Sequence, residues 1–384
     1  MRFLFPLASL MIAIFSLAVD RARPDPASVV CIHGGCRADQ ILAGLDASGD
    51  AQAAITALLV EDPANPAVWA TYAEFLNARG QTAKAAEAFD QALVLGPGIS
   101  PTLMRAANFD FTHDRSVQGL RLAHQILAQT YAYDEIVFSY LQSTHLPIAE
   151  LFSSAIPATP RVARSWLGWI RAHGPTQDVV DTWTWMLRNH FDDERSATDV
   201  ASSLWEHKDY WRSQQIWVDW LGAKRGDYLH PQRMANRRFQ EAPNQSPFDW
   251  KLEPPSSIQL VRQDGLEVHF SGKENVTSLG VRQLTTVEPG RYRFSAEVKA
   301  DGLTTDEGPF WGISDAENPA RLNVETQALR GSFERSRINL DFTVPAATQI
   351  LEIRFLRRSS LRFDNAIAGT LHIYEVSLVP LHRE

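Results

Sequence analysis

Cysteine is nearly absent from this 384-residue chain, which has only Cys31 and Cys36, within Cys-Ile-His-Gly-Gly-Cys. Two thiols make no disulfide framework, so the fold must rest on a hydrophobic core. A zinc site lacks ligands as well, because this segment offers two thiolates and His33 where a closed site takes four. Excess positive charge is also missing. The formal net charge is -8 and the pI about 5.8, which argues against a nucleic-acid binder held by phosphate contacts. No phosphate loop, dinucleotide fingerprint, His-Glu-x-x-His helix or Gly-x-Ser-x-Gly elbow occurs. Gly312-Ile-Ser314-Asp-Ala316 comes nearest the last, but it follows Phe310-Trp311 in a strand pattern. His190-Phe-Asp192-Asp193-Glu194 gathers metal-type ligands where a helix should end, which reads as a solvated terminus. Asp306 and Glu307 are adjacent and so poorly placed to face one another at the roughly 5–9 Å that glycoside hydrolysis uses. The expectation is therefore no catalytic residues, no metal and no cofactor.

What is present begins with an apolar run from Phe3 to Val19, broken only by Pro6, Ser9 and Ser16. It is short for a spanning helix, which takes about 20 residues, and Ser16-Leu17-Ala18 has the small-x-small pattern of a cleavage site. Residues 1–18 read as a signal peptide or, alternatively, an uncleaved membrane anchor. Arg21 and Arg23 just beyond favour a cytoplasmic flank and so count against export of the remaining chain. The expected location is outside the cytoplasm: periplasmic, in the cell envelope, or anchored to the inner membrane through this segment alone. Residues 19–37 read as a linker, in which Cys31 and Cys36 would form a local disulfide in an oxidising compartment.

The helical part shows a period. Ala51, Ile55, Leu58 and Pro63 recur 34 residues later as Ala85, Phe89, Ala92 and Pro97. Within the second unit the order is Trp69, Tyr72, Ala73, Leu76, Gly80, Ala85, Phe89, Ala92, Pro97. This resembles the tetratricopeptide repeat, with Ala73 in place of the usual Gly and Leu76 in place of the usual Tyr. The third unit is degenerate, with Gly119 and Ala123 where Ala and Phe are usual. Beyond Tyr131 the period fades, but helical patterning resumes over 162–172, 178–189, 198–206 and 211–222. The sequence predicts a helical array over 38–228, stacked because single hairpins cannot bury their apolar faces. The resemblance implies a protein partner. Nine of the eleven tryptophans lie here; Trp166 with Trp169 and Trp217 with Trp220 share helix faces. They read as core between hairpins or as an aromatic stripe for a peptide or glycan.

After Tyr228 the character changes. Residues 229–247, with Pro231, Pro243 and Pro247, read as a linker. Over 248–384 short alternating strands separated by Asp264-Gly265, Pro289-Gly290 and Asp301-Gly302 predict an antiparallel β-sandwich. The fold class is thus a helical-hairpin solenoid followed by a jelly-roll sandwich. Asn236 to Glu241 with Phe248-Asp-Trp250, Val287 to Phe294, and Ile373 to Leu378 resemble the galactose-binding-like jelly rolls used as carbohydrate-binding modules. Where that family often holds calcium, Tyr374 and Glu375 stand at the paired Asp positions and Glu241 lacks an evident partner. The resemblance implies a glycan site built on exposed aromatic rings, for which Trp250, Phe310 and Trp311 are candidates and Tyr374 a weaker one. Phe310 and Trp311 are neighbours in a strand, so they point to opposite faces. Arg354 and Arg358 share a strand face and would bind an acidic glycan or an acidic protein patch, or else line a solvated face.

A secretion segment, tetratricopeptide-like hairpins and such a sandwich together resemble bacterial envelope proteins associated with exopolysaccharide production or export. The expectation is a non-catalytic envelope scaffold or adaptor that binds a protein partner through its repeats and a polysaccharide through its sandwich. The alternatives are a glycan-active enzyme with carboxylates from loops, and a purely structural sandwich capping the helical array.

Overall fold

The computed structural model describes residues 51–225, 232–244, 246–304, 306–363 and 365–381. The apolar run, Cys31 and Cys36 lie outside them. Eleven helices precede ten strands among the described residues. The chain divides into two compact units: residues up to 146 together with Ser153–Ile156, and Pro147–Phe152 together with 157–384.

The first unit holds α1 (Ala51–Glu61), α2 (Pro66–Ala78), α3 (Thr82–Leu95), α4 (Ser100–Thr112), α5 (Ser116–Gln129) and α6 (Asp134–Ser143). Asn65 starts α2 by accepting a hydrogen bond from the Ala67 amide, with Pro66 just inside the helix. Gly80 (φ +74°) turns the chain into α3. The seams between helices are built of alanine: Ala70, Ala73, Ala85, Ala88, Ala92, Ala106, Ala107 and Ala123 are all buried. Gly119 stands in for another alanine because a Cβ there would come within 3.0 Å of the Phe111 ring. Alternate helices are also joined by polar contacts. Arg105 of α4 forks onto Glu74 of α2 at 2.8 and 2.6 Å, and the Tyr140 hydroxyl of α6 donates to Asn108 of α4.

The second unit continues the helices after the short α7 (Ile148–Ser154), which spans the division, with α8 (Pro160–His173), α9 (Thr176–Arg188), α10 (Glu194–Glu206) and α11 (Tyr210–Arg225). Here large aromatic residues join the seams of α8, α9 and α11, while α10 buries Ala197 and Ala201. Trp166, Trp183 and Trp217 are buried, and Trp185 stacks on Phe152 at 4.5 Å. The acidic stretch ending at Glu194 is a helix start, since Asp193 caps α10 by accepting from the Ser196 amide at 2.7 Å.

The strands form two antiparallel five-stranded sheets with orders β1-β4-β9-β6-β7 and β2-β3-β10-β5-β8. They comprise β1 (Lys251–Leu252), β2 (Ile258–Arg262), β3 (Leu266–Ser271), β4 (Ser278–Thr286), β5 (Gly290–Leu303), β6 (Pro309–Asp315), β7 (Asn323–Glu325), β8 (Gly331–Val344), β9 (Ile350–Arg357) and β10 (Ala368–Pro380). The core between the sheets centres on Trp311, which packs on Trp250, Phe294 and Phe355. The described residues of the stretch read as a linker, 232–244 and 246–247, are part of this body. The Gln232 side-chain oxygen accepts from the Leu378 amide, Ala235 and Gln283 exchange two hydrogen bonds, and Met234 and Phe239 are buried in the core. Pro243 and Pro247 fit here because the hydrogen bonds around them, such as those of Asn244 and Ser246, run to side chains outside any ladder.

Helix α11 is tied to β4 within this unit. Gln214, 3% exposed, donates to the Thr285 hydroxyl at 3.1 Å and accepts from the Thr286 amide at 2.9 Å and from the Thr286 hydroxyl. The Tyr210 hydroxyl donates to Glu317 at 2.9 Å, and Trp205 meets the Phe248 ring edge-on.

Candidate functional site

Alternation along β9 sends Leu351, Ile353 and Phe355 into the core and Glu352, Arg354 and Leu356 to the outer side of the first sheet. Register then decides which side chains meet. Lys251 of β1 lies opposite Arg282 of β4, and Arg282 lies opposite Arg354 of β9. Three cations therefore stand side by side across three strands. Like charges directly opposite one another are unfavourable, and only carboxylates near the limit of ion pairing offset the middle one: Arg282 is 3.7 Å from Glu352 and 3.9 Å from Glu253. Glu352 also approaches Arg354, at 3.3 Å. Burial depresses the Lys251 ammonium below the usual lysine range, against the pull of Asp249 and Glu253.

The short strand β1 is held in this register by one glycine. Gly280 (φ +70°) sits at an irregularity in β4, and a Cβ there would lie 2.2 Å from the Glu253 carbonyl oxygen. The Glu253 amide donates to the Gly280 carbonyl at 2.7 Å.

The structure separates the residues singled out from the sequence. Trp250 and Trp311 are not platforms: both are fully buried, and the Trp250 indole N–H is spent on the Asn236 carbonyl. Phe310 does face the opposite side of the sheet from Trp311, yet it is only 6% exposed, because the Arg358 guanidinium covers its ring at 4.8 Å. β6 is buried along its whole length, so the alternation that should have exposed one of the pair does not. Arg358 is paired with Glu325. Arg354 alone of the five candidates joins the cationic row. Tyr374, also proposed as a platform, lies beneath the Arg335 guanidinium and stacked on His372.

Two neighbouring arginines have other duties. Arg357 is buried and donates to the carbonyls of Glu307, Val276 and Asn365 and to the Asn275 side chain, pinning three loops. Arg362 pairs with Asp306, whose carboxylate also accepts from Ser360. Asp306 and Glu307 thus belong to a loop clamp. Among the described residues no group of three or more His, Cys, Asp or Glu is placed to hold a metal ion. Lys251 and Arg282 were missed by sequence reasoning, for register across β1, β4 and β9 is not written in any local pattern.

No protein-family model and no curated protein matches the chain. Among solved structures, the chain is similar to a CBM4 structure at 16% identity and a TM-score of 0.28, over 38% of this chain and 99% of that one. It is similar to TmCBM61 in complex with β-1,4-galactotriose at 12% identity and 0.26, over 40% and 99%. It is also similar to YrrB, a TPR protein with an unusual peptide-binding site, at 10% identity and 0.25, over 45% and 93%. At these identities and scores the likenesses carry no argument about this chain's family, ligand or activity; the helical hairpins and the two-sheet sandwich stand on their own geometry.

Proposed function

We propose that the chain is a non-catalytic scaffold or adaptor of the cell envelope, in which the helical repeats bind a protein partner and the sandwich binds an acidic polysaccharide across the Lys251–Arg282–Arg354 row. The observation that carries the glycan part is that row: three cations in register on one sheet face, whose neighbours Glu253 and Glu352 stand at 3.3–3.9 Å rather than in close two-point pairs. Guanidinium forks match sugar carboxylates in two-point contacts. Export through the N-terminal segment, and a place in exopolysaccharide production or export, belong to the same reading. Affinity electrophoresis of the chain in gels containing polygalacturonate, alginate or neutral dextran tests it. Retardation by an acidic polymer, weakened in Arg354→Ala and by added salt, supports the reading; free migration in both acidic gels overturns it.

A second reading is favoured by Gln214. Its buried hydrogen bonds to Thr285 and Thr286 join α11 to the sandwich, as a purely structural cap requires. If the sandwich serves only that end, Gln214 variants lower stability while the cationic row is silent in every binding assay.

A further inference from the structure

One end of the cationic row is not open sheet. Ser202, Trp205 and Glu206 in the last turn of α10 stand with Lys251, Arg282 and Leu284 around a cavity of about 260 Å³. We infer that this cavity is a pocket for a single carboxylate-bearing sugar ring, with Trp205 as the surface for the ring's apolar face and Lys251 and Arg282 as partners of its carboxylate. The inference rests on the acidic-glycan reading of the row and narrows it from a polymer on a sheet face to one acidic pyranose held at a defined end.

Chemistry, size and rigidity point the same way. Lys251 and Arg282 are cross-strand neighbours of like charge, so an anion between them removes a repulsion as well as adding an attraction. Among the described residues the only carboxylate in the lining is Glu206, an exposed residue, which with the Ser202 hydroxyl is suited to sugar hydroxyls. Pockets for larger organic ligands run from about 300 to 1,000 Å³, so this volume suits one ring. A small inorganic anion would use the two cations but would leave an aromatic wall unused. Sugar rings present C–H faces that pack on indole.

The walls are fixed in advance, which lowers the ordering cost of binding. Trp205 packs against Tyr210 at 4.6 Å and meets the edge of Phe248 at 5.6 Å. The next helix, α11, is joined to β4 through Gln214, and β1 is seated on β4 at Gly280. The helical hairpin therefore supplies part of the site, and the sandwich alone holds only its cationic floor.

Titration calorimetry of the full chain with hexameric oligogalacturonate, and with cellohexaose and inorganic phosphate as controls, tests the inference. Trp205→Ala and Lys251→Met should each weaken the hexamer by about 10-fold or more. Trp205→Phe, which keeps a ring, should lose less, and an unchanged melting temperature for Lys251→Met excludes misfolding as the cause. If the hexamer binds and Arg354→Ala weakens it while Trp205→Ala and Lys251→Met do not, the pocket is overturned and the open row stands. Equal affinity for cellohexaose overturns the carboxylate assignment, and competition by phosphate at equal strength overturns the sugar. If no hexamer binds at all, the pocket and the acidic-glycan reading fail together.

Discussion

The helices of the first unit and those of the second unit meet their neighbours through different mixtures of side chain. In α2–α5 alanine and Gly119 recur at the contacts, with Phe89 and Phe109 between them, whereas α8, α9 and α11 bury Trp166, Trp183 and Trp217 and only α10 relies on small residues such as Ala197 and Ala201. Small residues permit close approach of helix backbones, and they do so only at fixed positions, so the sequence must repeat them. Large aromatic residues fill a wider gap, and many arrangements of them serve. The first solution leaves a period of 34 in the sequence, and the second leaves none.

The largest effects should come from exchanging those solutions. Trp217→Ala should cost about 3–5 kcal/mol by opening a cavity around a fully buried indole. Ala85→Trp should cost about 1–3 kcal/mol or more through overpacking, with the loss falling on the other unit. Urea denaturation followed by circular dichroism measures both. Equal and negligible shifts would mean that neither seam is close-packed and that the contrast is one of composition only.

The same contrast explains what was legible. The solenoid, its first hairpins and the sandwich could be read because alanine spacing, strand alternation and glycine turns are local signals. The helices α8–α11 were readable as helices from their amphipathic pattern. Their membership of one compact unit with the sandwich was not, since it depends on single residues such as Gln214 meeting Thr285 and Thr286 far along the chain. The proline-bearing stretch before Phe248 looked like a linker because its bonds are made by Gln232 and Gln283 side chains, which carry no periodic mark. In the candidate site Arg354 was visible as the outward residue of an alternating strand. Trp250 and Trp311 misled because sugar platforms and core centres draw on the same residue type, and only burial tells them apart.

A smaller effect sharpens the boundary between the regions. Gln214→Ala would leave the Thr286 amide without its partner in a buried setting, at a cost of about 1–3 kcal/mol. If α8–α11 and the sandwich form one cooperative body, the variant should move a single transition seen by both helix and tryptophan signals. Two separated transitions, with the helical signal unmoved, would show that α11 and the sandwich unfold independently.

The smallest predicted effect uses acid, because the two units carry carboxylates of opposite sign in their pH response. Burial lifts the Asp110 carboxyl in α4 to about 6, overcoming the Arg115 guanidinium 3.0 Å away. The ion pair is present, yet desolvation of a carboxylate this deep outweighs it. With the folded value above the unfolded one of 3.8, the contribution of Asp110 is fully favourable below pH about 4 and is lost as pH rises through about 6. Asp193 in the second unit runs the other way. Burial opposes its ionisation, but hydrogen bonds from the Ser196 amide and from Arg164 outweigh it and hold the carboxyl below its ordinary value. Its contribution is present above that value and fades as pH falls below it. Lowering the pH from 7.5 to 5 should therefore stabilise the first unit by about 1–2 kcal/mol, with no matching gain at Asp193. Asp110→Asn should abolish this slope and raise stability at pH 7.5. Hydrogen exchange of α4 amides at the two pH values measures it, and a slope that survives Asp110→Asn would place the titrating group elsewhere in the unit.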